Sequence, residues 1–346
     1  MSKNKIAIIA DIPNWSFDII AQLLKKELSD KYDIDVFYCV TDFNKDLFDI
    51  LEATKEYDVI HFLARKLLLQ FEDESFKERV AKKGYNYDEY LASMVRKITT
   101  CVYDHLAIND PEIDYTKLYR LYSKAYLVCS KKLYDIYAAV PNCPLPWAEI
   151  PDTIDTDLFV PAKLERFEKE NIENKALVIG WVGNSKWNKK SEDDIDYKGL
   201  HTILKPAIEE LKAEGYNIEP FYADVNDKYR NAVEMQEYYS HIDIYVCVSL
   251  IEGTPRPLLE SMSCGVPVIT TDVGLAYEVL GEKGQKFILK ERNKEELKEK
   301  IKELYNNREL LKELSDENIK EGIKNSSKST VGKYIELFDG IINNTL

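Results

Sequence analysis

"SLIEGTPRPLLESMSCGVPVITTDVG", residues 249–274, decides the reading of this chain. It begins where an apolar, β-branched run ends ("IDIYVCVS", 242–249) and passes an acidic turn, Glu252-Gly253-Thr254-Pro255. The pattern then predicts a helix that stops at Gly265, followed by another strand in "VPVITT" (266–271). Pro255 and Pro257 suit a helix start, where a missing N–H costs little. Strand, turn, helix and strand in this order form the repeating unit of a parallel sheet. Glu252 therefore falls at the carboxyl end of a strand, where open α/β sheets bind ligands.

Glu260 lies two helical turns beyond Glu252, on the side of the helix that faces its own start. Between them the helix N-terminus offers free backbone N–H groups and a partial positive charge, a ready place for phosphate. Two carboxylates beside an anion site need partners that donate. Sugar hydroxyls donate, and carboxylates can only accept. A ligand with a diphosphate between two polyols, a nucleotide-sugar, meets all of these conditions.

Outward from this stretch, short apolar runs alternate with amphipathic ones through both halves. "KIAIIA" (5–10), "IDVFYCV" (34–40), "YDVIHFL" (57–63), "TTCVYD" (99–104) and "AYLVCS" (125–130) read as strands, and "FDIIAQLLKKELS" (17–29) as a helix. The cycle pauses over 141–175, with prolines at 141, 144, 146 and 151 followed by the polar run "AKLERFEKENIENK". It resumes with "ALVIGWVG" (176–183), "IEPFYA" (218–223) and the run quoted first. "LHTILKPAIEELKAEG" (200–215) reads as a helix kinked by Pro206 and capped by Gly215, and Asn293 with Glu296 as a capping box. Such alternation implies α/β domains with parallel sheets covered by helices. Neither half carries G-x-G-x-x-G or a Walker A loop, which lowers hydride and P-loop phosphoryl transfer.

The 346 residues are twice the usual domain size and imply two domains. Lys plus Arg number 47 against 61 Asp plus Glu, a net charge of −14 that both halves share. Nucleic acid is therefore not expected as a partner. The cysteines, at 39, 101, 129, 143, 247 and 264, form no CxxC pair, so no zinc or redox site is expected. The first apolar run, Ile6–Ala10, ends at Asp11 and is too short for a signal peptide, so the expected location is cytoplasmic. Lys82-Lys83 and Lys131-Lys132, with Leu67 to Leu69, leave room for peripheral contact at the inner face of a membrane.

The motifs together resemble the family 4 retaining glycosyltransferases, the glycosyl transferases group 1, which have the GT-B fold. Glu252 and Glu260 form the family's E-x7-E signature, and "LLESMSCGVPVITTDVG" (258–274) follows its pattern closely. "IPDTIDTDLFVP" (150–161), "GWVGNS" (180–185) with "KGL" (198–200), and "YDVIHF" (57–62) resemble further family segments. The resemblance implies two Rossmann-like domains facing across a cleft: an acceptor-binding domain at 1–165 and a nucleotide-sugar donor domain at 170–325. It also implies a C-terminal helix at 326–346 that returns to the first domain.

By the same resemblance, Glu252 would receive hydrogen bonds from the donor sugar and Glu260 from the ribose. Gly253, Thr254 and Arg256, with Leu258 and Leu259, would line the sugar and diphosphate through backbone amides. Lys198 would neutralise the diphosphate beside the Gly183–Asn184 turn. His105 would approach the donor sugar as a catalytic residue from the first domain. Asn184 stands where the family has arginine, so that charge comes from Lys186, Lys189 or Arg256, or is absent. The loop after the first strand, "DIPNWSFD" (11–18), lacks the family's glycines.

The implied activity is transfer of a hexosyl group, with retention, from a nucleotide-diphosphate sugar to an acceptor hydroxyl. UDP is favoured over GDP by family frequency, in cell-surface glycan or polysaccharide synthesis. No cofactor is implied, and metal is not required. "EDDID" (192–196) and "DTIDTD" (152–157) are weighed as metal ligands and set aside. Arg65 and Lys66 read as a solvated pair, and His61, His201 and His241 as structural. The alternatives are another GT-B activity, such as a nucleotide-sugar epimerase or inverting transferase, and a non-catalytic binder of sugar-nucleotides or glycans.

Overall fold

The computed structural model describes residues 3–106, 108, 114–168, 171, 175–187 and 194–346. The chain divides into two compact units, Met1–Asp152 with Ser327–Leu346, and Thr153–Ser326. In the first unit the strands are β1 (Lys5–Ala10), β2 (Asp33–Tyr38), β3 (Val59–Phe62), β4 (Ile98–Val102), β5 (Ala125–Val128) and β6 (Ala148–Glu149). They pair in parallel in the order β2-β1-β3-β4-β5-β6. The second unit contains β7 (Leu177–Gly183), β8 (Ile218–Asp224), β9 (Ile244–Cys247), β10 (Val268–Thr271) and β11 (Ile288–Leu289), in the order β11-β10-β9-β7-β8.

The two sheets are wound alike, each with its first strand between its second and third. The order therefore reverses beside β1 in one unit and beside β7 in the other. In such sheets the ligand crevice opens at the carboxyl ends of the strands flanking the reversal. β3, β4, β9 and β10 are buried along their whole length. Helices cover both faces of a parallel sheet, so no strand face is left to alternate with polar residues.

The units meet earlier in the chain than the polar run suggests. Residues 153–165, expected in the first domain, lie in the second. Ile154, Phe159 and Phe167 are buried in its apolar clusters, and Ile154 bridges to Ser326. Lys163, Glu165 and Glu168 are the outer face of this segment, while Phe167 is buried and Arg166 turns inward to donate to Ile242 O at 3.2 Å. The last helix, Ser327–Ile342, belongs to the first unit, with Tyr334, Leu337, Phe338 and Ile341 in its core.

Pro206 has a local consequence other than a simple kink. Leu200–Leu204 forms a π turn before the α-helix Lys205–Ala213. Proline lacks the N–H that would close the next α-turn, and a wider turn accommodates the loss. Asn293 caps its helix as expected, but the Glu296 carboxylate turns instead to the amides of Lys290 and Glu291. No described helix is long and apolar enough to cross a membrane.

Candidate functional site

The carboxyl ends of β7 and β9 flank the reversal in the second unit, and the motif residues gather there. β9 ends at Cys247, and Glu252 follows in the loop. Its Oε1 accepts from Lys198 Nζ at 2.6 Å and from Ser249 Oγ at 2.7 Å. The Lys198 and Glu252 side chains are 19% and 17% exposed, so the pair stands at the edge of solvent. Burial pulls the Lys198 ammonium down, but the facing Glu252 carboxylate outweighs it and the net direction is upward. The Trp187 ring lies 5.4 Å from Lys198 Nζ, within cation–π range.

Lys198 is delivered by a loop sewn to the end of β9. Leu250 N donates to Tyr197 O at 2.7 Å. Arg292 Nε donates to Val248 O at 2.8 Å and its Nη2 to Asp196 O at 2.5 Å. Gly199 sits at φ +70°, and a Cβ there would meet Val248 O at 2.4 Å. The Asp196 carboxylate caps the turn that follows, accepting from the amides of Gly199, His201 and Thr202. Of the other acidic residues weighed as metal ligands, Glu192 and Asp193 lie outside the described residues, as does Lys189.

Glu260 sits on the helix Arg256–Ser263 and is buried. Its Oε2 accepts from Tyr239 Oη at 2.9 Å, and its Oε1 from Arg256 Nη2 at 3.5 Å. Burial, then the Glu260 charge, push the Tyr239 hydroxyl well above its ordinary value, so it stays a donor. Arg256 Nη1 also donates to Thr153 O at 3.0 Å. The Arg256 charge is thus engaged inside the unit; Lys198 and the exposed Lys186 are further cations at this end of the sheet.

The acidic turn is pressed against a second loop. Gly274, at φ +53°, lies so close that a Cβ would fall 2.0 Å from Gly253 O. The side chains of Leu258 and Leu259 are fully buried, so only their backbones can serve a ligand. The Leu258 N–H is bonded to Pro255 O at 2.8 Å. At the end of β7, the Gly183 turn is tied to β8. Asn226 Nδ2 donates to Asn184 Oδ1 and to Asp224 Oδ1, each at 2.8 Å. Ser185 N also donates to Asp224 Oδ1, at 3.3 Å.

His105 lies in the first unit, half-buried, three residues past the end of β4. Asp104 before it is ion-paired with Arg65 at 3.1 Å. Arg65 is only 5% exposed, a buried residue where the sequence suggested a solvated one. In the glycine-free loop after β1, Asn14 takes φ +66°, the left-handed backbone that glycine ordinarily supplies. His61 lies inside β3, its Nδ1 2.9 Å from Thr99 Oγ1 and its ring edge-on to Tyr334 and Phe338. Burial pushes its pKa down to about 4, in keeping with a structural role.

Ser249, Tyr239, Trp187, Gly274 and Arg65 were not legible as site residues. Only Ser249 carried a local signal, three residues before Glu252 at the end of the strand. The others reach their partners through tertiary contacts.

Residues 228–321 match the family "Glycosyl transferases group 1". The chain is 24% identical over 204 residues to the N,N'-diacetylbacillosaminyl-diphospho-undecaprenol alpha-1,3-N-acetylgalactosaminyltransferase of Campylobacter jejuni, covering 55% of this chain and 53% of that protein. It thus spans about half the length of that relative. Among solved structures, Anabaena HepE in complex with UDP and glucose superposes with a TM-score of 0.63 at 13% identity, over 96% of this chain and 98% of that one. Sucrose-phosphate synthase from Thermosynechococcus elongatus gives 0.65 at 14% identity, over 99% and 100%. These structural likenesses show the fold, which is GT-B.

Proposed function

Because residues 228–321 match the glycosyl transferases group 1 and the fold is GT-B, we propose that this protein transfers a sugar from a nucleotide-diphosphate donor to an acceptor hydroxyl with retained anomeric configuration. The observation that carries the reading is the Lys198–Glu252 pair at the strand-order reversal, beside the helix that holds Glu260. A cation for diphosphate and two acceptors for hydroxyls lie where such sheets bind ligands.

In this reading Glu252 accepts from the donor sugar and Glu260 from the ribose. Lys198, the exposed Lys186 and the backbone at the start of the Arg256–Ser263 helix balance the diphosphate. The bond from the sugar's anomeric carbon to the phosphate oxygen breaks while a bond to the acceptor oxygen forms on the same face. The electron pair stays on the leaving diphosphate, which takes the acceptor's proton. The protein supplies positioning and stabilisation of the departing charge. His105, in the first unit, is the other residue proposed as catalytic.

UDP is the proposed nucleotide, in keeping with the UDP bound by the structurally similar Anabaena protein. A lipid-linked glycan is the proposed acceptor, following the name of the Campylobacter relative, in cell-surface glycan synthesis at the inner face of a membrane. Neither a cofactor nor a metal is part of the proposal. Thermal unfolding with UDP, GDP, ADP and CMP, with and without EDTA, tests the site. At a hundred times its dissociation constant a ligand adds about 2.7 kcal/mol. UDP should respond, indifferent to EDTA, and Glu260→Ala should abolish the response. Silence from all four nucleotides would contradict the site assignment.

A further inference from the structure

We propose that Arg65 is a positioning residue that sets the place of His105. The inference rests on the role proposed above for His105.

Arg65 follows β3, and its guanidinium reaches across to the loop after the neighbouring β4. Arg65 Nη2 donates to Asp104 Oδ2 at 3.1 Å and lies 3.5 Å from the Asp104 backbone oxygen. Tyr137 Oη donates to that same carbonyl at 3.0 Å. The other carboxylate oxygen, Asp104 Oδ1, accepts from Leu106 N at 3.1 Å. Both the main chain and the side chain of Asp104 are therefore held. His105 stands between Asp104 and Leu106, which are bonded to each other, so its backbone has little freedom. Its half-buried side chain leaves from a fixed point.

Stability alone does not call for this arrangement. A charge this deeply buried is costly, and well-packed apolar residues of the same size commonly serve stability as well or better. The cost is aggravated at Arg65 because Nε is buried without a hydrogen-bond partner. What the ion pair supplies and an apolar contact does not is direction: one nitrogen of the rigid, planar guanidinium meets a carboxylate oxygen and lies against the carbonyl of the same residue. The residue so fixed directly precedes His105.

A double-mutant cycle on the full chain tests this. UDP release from UDP-glucose and from UDP-N-acetylgalactosamine, with water as acceptor, is measured for wild type, R65M, H105A and R65M/H105A. R65K and Y137F, both milder at this carbonyl, are measured beside them in case R65M does not fold. A misplaced catalytic group costs about 10- to 100-fold, so R65M should lower kcat by that factor and leave the donor KM nearly unchanged. R65K, which keeps the charge without the rigid, planar guanidinium, should recover only part of the loss. In the H105A background R65M should cost nothing further, because residues acting as a unit are not additive. Losses that multiply in the double mutant, or wild-type turnover in R65M, would overturn the inference while leaving His105 in place. Unchanged turnover in H105A would overturn the role of His105 itself, and this inference with it.

Discussion

Lys198 and Glu252 are bonded to each other, Nζ to Oε1 at 2.6 Å, although one arrives from the loop after β7 and the other from the loop after β9. Fifty-four positions separate them in sequence. The pair neutralises two charges that would each be costly alone at a partly buried site. It also places a cation for phosphate beside an acceptor for hydroxyls.

Glu252→Gln should keep the fold and lower turnover by roughly 100- to 1,000-fold, the usual loss when one charge-stabilising group is removed. Glutamine still accepts from Ser249 but no longer balances Lys198. Circular dichroism checks the fold, and UDP release from UDP-glucose checks the rate.

Lys198→Met should weaken UDP binding and also flatten the alkaline side of the stability curve. The Lys198 pKa is raised in the folded state. Its contribution is therefore fully present below the ordinary lysine value and is lost as pH rises through the higher folded value. Melting of wild type and variant on both sides of that range should show their difference shrinking as pH climbs.

Gly274→Ala should disable the site through the backbone. The new Cβ would fall 2.0 Å from Gly253 O, so the turn that carries Glu252 has to shift. Strain of this kind costs about 1–3 kcal/mol. Gly84 is the control: it has φ +78° but nothing within 4 Å of a Cβ. Gly84→Ala should cost about 1 kcal/mol and leave UDP binding intact.

His61 predicts acid sensitivity in the first unit. Its pKa falls from 6.5 to about 4 on burial. Between those values the unfolded chain binds a proton that the folded chain does not, so stability drops as pH falls through the window. The loss is on the order of 3 kcal/mol at its lower end. Chemical denaturation of wild type and His61→Leu at pH 7 and pH 4.5 should show a smaller drop in the variant.

What the sequence made legible is what lies close together along the chain. β1, β7 and β9 announce themselves as short β-branched runs, and Gly265 as a helix stop at φ +76°. Glu252 and Glu260 are set by their places in one motif, the first in the turn after β9 and the second on the helix that follows. Contacts between distant segments were out of reach: Tyr239 on Glu260, Gly274 against Gly253, and Arg65 on Asp104. Asn14 hid a glycine-like backbone because side-chain identity only weakly constrains that conformation in asparagine. The boundary at Asp152 was obscured because Leu164 and Phe167 bury apolar faces within a run whose composition is that of a linker.

Proton NMR of the sugar released from UDP-glucose or UDP-N-acetylgalactosamine tests the central claim most directly. Spectra are taken before the free sugar mutarotates, with Glu252→Gln as the control. A first-formed α anomer, matching the donor and absent in the variant, is the result expected of a retaining site built on Glu252 and Lys198. A β anomer formed first, or the same α product at the same rate from Glu252→Gln, would contradict it.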